Sequence, residues 1–221
     1  MFEKNRAIVR ARFLFVTLFL LSLGLFGCRQ EVSEPFVAVA SVDSTFVIDL
    51  RYATPNNFTG QVLYDTAGCF LRKSVAERLA RVQKKLRRQG LGLKIWDAYR
   101  PLSVQKKMWA IVPDSRYVAN PKHGSRHNRG AAVDVTLVDS TGQELHMPTG
   151  FDDFTPRAHR DWTGKDTLAI HNRDVLEKAM VSEGFLPLST EWWHFDAPNW
   201  KSYPIEDVSI RELLKKTRKG R

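Results

Sequence analysis

A single acidic residue interrupts an apolar segment near the middle of this 221-residue chain. Asp134 lies within residues 131–138, whose other members are Ala, Val, Leu and Thr, and this composition predicts a buried β-strand. A carboxylate inside a sheet is costly unless it is paired or binds a cation. His127 lies in the loop before this strand. The segment therefore predicts either metal ligands or an aspartate that is hydrogen-bonded to a neighbouring loop.

A second polar pair lies among aromatic residues close to the end of the chain. Glu191 and His194 are separated by Trp192 and Trp193 and followed by Phe195. This spacing suggests a base beside a metal ligand, although an aromatic core strand with a hydrogen-bonded histidine would have the same composition. In a regular strand over 190–196, Glu191 and His194 would point to opposite faces. A bulge, a twist or a strand end must therefore bring them together if they share a site.

Together the two segments supply the donor set of a catalytic zinc site. His127, Asp134 and His194 offer three ligands, and Glu191 remains as a carboxylate that need not bind the metal. Catalytic zinc has three protein ligands and an open position for water, whereas structural zinc is closed by four ligands, usually including cysteines. Cys69 lies in an apolar setting, and we expect it to be a buried, unreactive thiol.

The first 28 residues have the pattern of an export signal. A basic stretch precedes an apolar run from Phe13 to Phe26, which is too short for a membrane-spanning helix of about 20 residues. The run ends at Cys28 in a sequence that resembles the lipobox of bacterial lipoproteins, with Phe26 where a small residue is usual. We therefore expect acylation of Cys28 and a membrane-anchored lipoprotein of the bacterial cell envelope, on its periplasmic or outer face. An uncleaved anchor or ordinary cleavage nearby is the alternative.

Apolar periodicity predicts a mixed α+β domain. Phe46, Ile48 and Leu50 alternate as on one face of a strand, and Ser74 with Glu77 resembles a capping box that opens a helix. Further strands are predicted over 91–99, 131–138 and 190–196, further helices over 103–112 and 172–182, and a long loop over 139–168. The predicted organisation is a signal peptide (1–27), a polar tether (28–44), one domain (45–205) and a basic tail (206–221).

Charge is concentrated at the two ends of the chain. The sequence has 34 Lys and Arg against 24 Asp and Glu, a net charge of +10. Much of this excess lies in residues 1–12 and 211–221, so the body between them is close to neutral. We therefore expect no nucleic-acid partner.

The polar motifs, taken in order, resemble those of the VanX-type D-alanyl-D-alanine dipeptidases. The resemblance extends from Phe46 to Asp196. The motifs that carry it are Tyr52-Ala-Thr with Asn57-Phe-Thr-Gly60, Trp96-Asp-Ala-Tyr-Arg100-Pro101, Ser125-x-His127-x-x-Gly130-x-Ala132-x-Asp134 and Glu191-x-x-His194. The resemblance implies a small zinc-peptidase fold with an antiparallel sheet and flanking helices, shared with D,D-carboxypeptidases and the hedgehog signalling domain.

The resemblance also implies a role for each residue of the site. His127, Asp134 and His194 would hold one zinc ion per chain, and Glu191 would act as general base and acid on a metal-activated water. Arg100 would stabilise the oxyanion, although an ion pair to Asp97 on the surface is its simpler interpretation. The remaining roles concern substrate binding: Tyr52 and Asp152 would hold the free amino group of the dipeptide, and Ser125 would make a polar contact.

The expected reaction is the hydrolysis of D-Ala-D-Ala to two D-alanines. One alternative is a D,D- or L,D-carboxypeptidase that trims peptidoglycan stem peptides, which would need a groove open toward the substrate's amino end. The other is a zinc-stabilised domain that binds cell-wall peptides without cutting them. Such a binder would need neither Glu191 nor Arg100, so the presence of both residues disfavours it.

Overall fold

The computed structural model describes residues 34–219 of the chain. Five strands form the main sheet: Val47–Ile48 (β2), Leu91–Asp97 (β4), Ala132–Asp139 (β5), Leu186–Pro187 (β6) and His194–Asp196 (β7). Their order is β2-β4-β5-β7-β6, with β2 parallel to β4 and every other pair antiparallel. Phe36–Ala38 (β1) and Phe70–Arg72 (β3) form a second, two-stranded antiparallel sheet. The predicted α+β class is confirmed.

The helices are Val39–Val42 (α1), Lys73–Arg87 (α2), Leu102–Ile111 (α3), Thr167–Val181 (α4) and Ile210–Lys219 (α5). Helices α2 and α4 pack against each other, α2 also on β4 and α4 on β5. The valine and leucine residues of α2 are spaced to form one helix face, and all of them are buried in the core, as this spacing predicts. They are Val75, Leu79, Val82 and Leu86. Within residues 34–219, no helix has both the length and the hydropathy needed to span a membrane.

Strand β5 lies at the centre of the main sheet, between β4 and β7. Every residue from Ala132 to Val138 is buried, which explains why this segment is apolar on both faces. Asp134 is the one carboxylate in that stretch, and it lies where β5 pairs with both neighbours. The central position of the strand therefore fixes the aspartate from both sides.

Both predicted domain boundaries fall inside the fold. The segment from Phe36 to Val42, predicted as part of a polar tether, forms β1 and α1, and Val39 is fully buried. The predicted basic tail contains α5, whose Ile210 and Leu213 pack against Phe70 and Tyr99. The predicted tether and tail are both rich in polar residues, which explains the prediction, but apolar side chains from each pack in or against the smaller sheet. The predicted signal peptide and Cys28 lie outside the described residues.

Two local predictions are also corrected. The strand predicted from the alternation of Phe46, Ile48 and Leu50 is limited to β2, and Ile48 is 39% exposed on this edge strand. Ser74 and Glu77 do not form a capping box. Instead, Glu34 accepts hydrogen bonds from the backbone N–H and the hydroxyl of Ser74. The cap of α2 therefore comes from a residue 40 positions earlier in the chain.

Candidate active site

Three buried side chains meet where β7 begins, beside Asp134 of β5. His194 lies directly opposite Asp134 in the antiparallel pairing, and its Nδ1 is 2.9 Å from Asp134 Oδ1. His127 comes from a 3₁₀ turn, His127–Arg129, that ends at Gly130 with a φ of 66°, a conformation that favours glycine. Its Nε2 lies 3.2 Å from His194 Nδ1 and 3.4 Å from Asp134 Oδ2. All three offered ligand atoms lie within 4.8 Å of one another.

The outer nitrogen of each histidine is already occupied. His127 Nδ1 donates to the carbonyl oxygen of Ala98 at 2.7 Å, and His194 Nε2 donates to Asp196 Oδ1 at 2.9 Å. In the neutral form of each ring, the inner nitrogen therefore has a lone pair that points toward the other ring and toward the Asp134 carboxylate. Three converging acceptors without a donor fit a cation, and the two-nitrogen, one-oxygen set fits zinc.

Without a metal, this arrangement raises the proton affinity of His194. Burial alone would lower the pKa of His194, but the hydrogen bonds to Asp134 and Asp196 outweigh it and raise the pKa to about 10. A proton and a metal ion therefore compete for the same nitrogen, as is general for metal-binding histidines.

Glu191 reaches the site through a turn. Only residues 194–196 of the strand predicted over 190–196 are extended, and the His194 N–H donates to the Glu191 carbonyl at 3.3 Å across this turn. The strand end thus brings together two side chains that a regular strand would separate. Glu191 Oε2 lies 4.0 Å from His194 Nδ1, and burial raises the pKa of this carboxyl above its usual value. Such a shift suits a general base near neutral pH.

Arg100 is held in place by two buried partners. Its Nε and Nη2 donate to Asp97 Oδ2 at 3.0 and 2.6 Å, and its Nη1 donates to Gln105 Oε1 at 2.9 Å. The ion pair to Asp97, considered above as the alternative role of Arg100, is present but buried rather than on the surface. Tyr64 donates to the same aspartate at 2.5 Å. The guanidinium group is therefore fixed in one orientation at the wall of the pocket.

Tyr52 and Asp152 meet at one end of the pocket. The Tyr52 hydroxyl lies 3.0 and 3.1 Å from the two carboxylate oxygens of Asp152. Burial, together with the negative charge of Asp134, raises the pKa of Asp152 to about 8 although Tyr52 donates to it. Asp152 has a φ of 58°, unusual for a residue other than glycine. The adjacent carboxylate, that of Asp153, accepts a hydrogen bond from the N–H of Thr155 at 2.8 Å instead of one from Tyr52.

One cavity of about 350 Å³ joins these groups. It is lined by all eight residues predicted for the site within the described chain: Tyr52, Arg100, Ser125, His127, Asp134, Asp152, Glu191 and His194. Ser125 is at its wall, where its Oγ accepts from the His127 N–H at 3.2 Å. The structure thus places every one of these residues at the same pocket, whose size suits a small ligand.

Several supporting residues were not foreseen. Asp196 orients His194, and Arg126 Nε lies 3.2 Å from the other Asp196 oxygen. The spacing of His194 and Asp196 by two residues could have revealed the first contact, because such residues share a strand face. No local pattern pointed to Tyr64 or Gln105.

Comparison with known proteins agrees with the site. Residues 32–209 match the family model described as D-ala-D-ala dipeptidase. The chain belongs to this peptidase family. It is 39% identical over 169 residues to the D-alanyl-D-alanine dipeptidase of Escherichia coli (strain K12), covering 76% of this chain and 88% of that protein. It is 33% identical over 168 residues to the enzyme of the same description from Enterococcus faecalis (strain ATCC 700802 / V583), covering 66% and 83%.

Among solved structures, that of the LD-carboxypeptidase LdcB aligns over 69% of this chain and 74% of its own, with a TM-score of 0.41 and 18% identity. That likeness is too distant to bear on function. The family match confirms the resemblance drawn from the motifs and the prediction that the protein is an enzyme. Together with the donor set of His127, Asp134 and His194, it also supports zinc as the cofactor.

Proposed function

We propose that this protein hydrolyses the dipeptide D-Ala-D-Ala to two D-alanines. The observation that carries the proposal is the contact between Tyr52 and Asp152, which lies in the same cavity as the three metal-binding candidates and Glu191. A carboxylate in that position complements the ammonium group that a dipeptide has next to its single peptide bond. The E. coli relative is described as an enzyme of this specificity.

The chain's own residues account for the proton transfers and the charge stabilisation. His127, Asp134 and His194 would hold zinc, which when bound lowers the pKa of water and polarises a carbonyl. Glu191 accepts the proton of the attacking water and passes it to the leaving nitrogen. Arg100 has five N–H donors, of which three bind Asp97 and Gln105, so the others can donate to the developing oxyanion.

Asp152 and Tyr52 would restrict the reaction to free dipeptides. A longer peptide has an uncharged amide where the dipeptide has its ammonium group, so it cannot make the charge-assisted contact with Asp152. Loss of such a charge-assisted contact costs about 1.5–3 kcal/mol. The bulk of the added residue would increase this cost, because it must fit beside Tyr52 and Asp152 in a cavity of about 350 Å³.

Hydrolysis of three peptides tests this specificity. We expect the zinc-loaded protein to cut D-Ala-D-Ala, to leave L-Ala-L-Ala intact and to cut an acetylated tripeptide ending in D-Ala-D-Ala at least tenfold more slowly. Equal rates for the dipeptide and the tripeptide would identify a carboxypeptidase instead. Tight binding of either peptide without any cleavage would identify a binding domain.

We further propose that the protein is exported and anchored to a membrane of the bacterial cell envelope through acylated Cys28. The basic stretch, the short apolar run and the cysteine at its end support this proposal. Mass spectrometry of the protein from cells should find an acylated residue 28 at the new N-terminus. Cys28→Ser should give a released protein or an uncleaved precursor, and a soluble wild-type protein without lipid would refute the anchor.

A further inference from the structure

In its second half, helix α5 presents three exposed cations among the described side chains, of which Lys215 and Lys216 interact only through their charge with Glu212 on the same helix. Lys215, Lys216 and Arg218 are exposed. None of their side chains makes a hydrogen bond or a salt bridge with another residue in the range 34–219. Arg211, by contrast, lies 3.6 Å from Asp65, and Glu212 is bound to Ser209 at the start of the helix. We call Lys215, Lys216 and Arg218 the α5 basic surface.

The helix that carries this surface cannot turn freely. Its Ile210 and Leu213 are 1% and 5% exposed, and they pack with Phe70 and Tyr99 under the smaller sheet. The buried face fixes the rotation of α5 about its axis. The α5 basic surface therefore stays on the exposed side of the helix.

The start of the described chain lies next to the same helix. A groove beside α5 is lined by residues from both regions, including Glu34, Pro35 and Phe36 from the first and Leu213, Lys216 and Thr217 from the second. This proximity follows from the corrected boundary, because β1 already belongs to the fold at Phe36. The N-terminal entry of the chain thus lies beside Lys216 and next to helix α5.

The proposed anchor brings this part of the molecule close to a membrane. Cys28 precedes Glu34 by six residues. An extended chain spans at most about 3.6 Å per residue, so such a tether reaches no further than roughly 20 Å. Electrostatic attraction between exposed charges extends over about 8 Å at physiological salt. A tether this short keeps the α5 basic surface close enough to the membrane for its charges to come within this distance of the lipid headgroups.

We propose that the α5 basic surface docks on the anionic phospholipid headgroups of the membrane that holds the anchor. This inference goes beyond the proposed catalytic function and uses the proposed anchor only for its position. Each lysine or arginine near an anionic lipid surface strengthens binding by about fivefold. Three such residues together would strengthen it by about a hundredfold, while the anchor supplies the permanent attachment.

Vesicle binding of the unacylated chain tests the surface separately from the anchor. The protein used begins at Arg29, so it contains every described residue and lacks Cys28. Its partitioning is measured with vesicles of phosphatidylcholine alone and of phosphatidylcholine mixed with phosphatidylglycerol. We expect binding to the mixed vesicles only, and weaker binding as salt is raised.

Two triple variants with the same net charge provide the comparison. Lys215→Gln, Lys216→Gln and Arg218→Gln remove the α5 basic surface. Lys84→Gln, Arg87→Gln and Arg88→Gln remove three exposed cations at the end of α2 whose side chains likewise make no hydrogen bond or salt bridge within the described fold. The α5 variant should bind the mixed vesicles about a hundredfold more weakly, and the α2 variant should bind them almost as well as the parent chain.

Equal losses in the two variants, or no binding by the parent chain, would overturn the proposal. Both variants should keep dipeptide hydrolysis unchanged, which makes the result independent of the catalytic proposal. If Cys28 is not acylated in cells but vesicle binding follows the expected pattern, the proposed lipid anchor is refuted, and the proposal that the α5 basic surface binds anionic lipids is still supported.

Discussion

The metal-binding end of the candidate active site joins two cross-strand partners to a histidine on a 3₁₀ turn, whereas the end that we assign to the substrate's amino group joins a 3₁₀ segment to a long loop. At the first end, Asp134 and His194 are cross-strand partners in the main sheet. At the second end, Tyr52 lies in a 3₁₀ segment and Asp152 in the long loop over 139–168, 100 residues apart in sequence. We refer to these as the metal end and the amino end.

The two ends also differ in how many contacts hold each side chain. Both histidines at the metal end are held at their outer nitrogens, by Ala98 and by Asp196. At the amino end, Asp152 has one side-chain hydrogen-bonding partner, Tyr52, and a backbone conformation that is unfavourable for its residue type. The comparison suggests that the chemistry is fixed by the sheet, while specificity depends on a loop that can change without disturbing it.

The largest effect should come from removing a ligand at the metal end. His127→Ala or His194→Ala should lose both the metal and the activity, because two remaining donors hold zinc poorly. Chelation of the wild-type protein should have the same effect on turnover. Elemental analysis provides the measurement, and full zinc occupancy in both variants would show that these residues are not the ligands.

The next largest effect should come from Glu191, which adjoins the metal end without belonging to the ligand set. Glu191→Gln should lower kcat by about 10²–10⁴-fold because it removes a general base. Zinc content should stay at one per chain, since the carboxylate makes no hydrogen bond to another residue of the described chain. If zinc content falls in parallel with kcat, Glu191 is a ligand and the division of roles is wrong.

A change at the amino end should separate specificity from chemistry. Asp152→Asn removes the negative charge, and asparagine tolerates the positive φ at this position. We expect kcat/KM for D-Ala-D-Ala to fall by about 10–100-fold, the equivalent of one charge-assisted contact, with zinc content unchanged. The rate with the acetylated tripeptide, which has no ammonium group to lose, should hardly change. A parallel fall for both peptides would place Asp152 outside substrate recognition.

The smallest effect on turnover should come from changing Asp196, which binds the outer nitrogen of His194 at the metal end. Asp196→Asn weakens the acceptor that orients His194, so zinc affinity should fall by about 10–100-fold. Activity should return when zinc is supplied in excess, which distinguishes this variant from Glu191→Gln. A competitive chelator titration gives the affinity directly. Unchanged affinity would mean that β7 alone holds the histidine in place.

The metal end was largely predictable because its signals are local. A carboxylate in an apolar strand, a histidine before a glycine, and a Glu-x-x-His pair among aromatic residues each indicate unusual chemistry within a few residues. The sequence could not say how Glu191 and His194 come to lie side by side. That depends on where β7 begins, and the length of a strand is decided by its pairing with β5.

The amino-acid sequence by itself indicated the family, the candidate donor set, the candidate general base and the pattern of an export signal, because each depends on residue types at short spacing. Only the tertiary structure decided that Glu34 caps α2, that Asp97 is buried beneath Arg100 and that Asp152 rather than Asp153 meets Tyr52. It also placed β1 and α5 within the domain. The Glu34, Asp152, β1 and α5 contacts join segments more than 30 residues apart. Their free energy comes from burial and hydrogen bonding that exist only once the chain has folded.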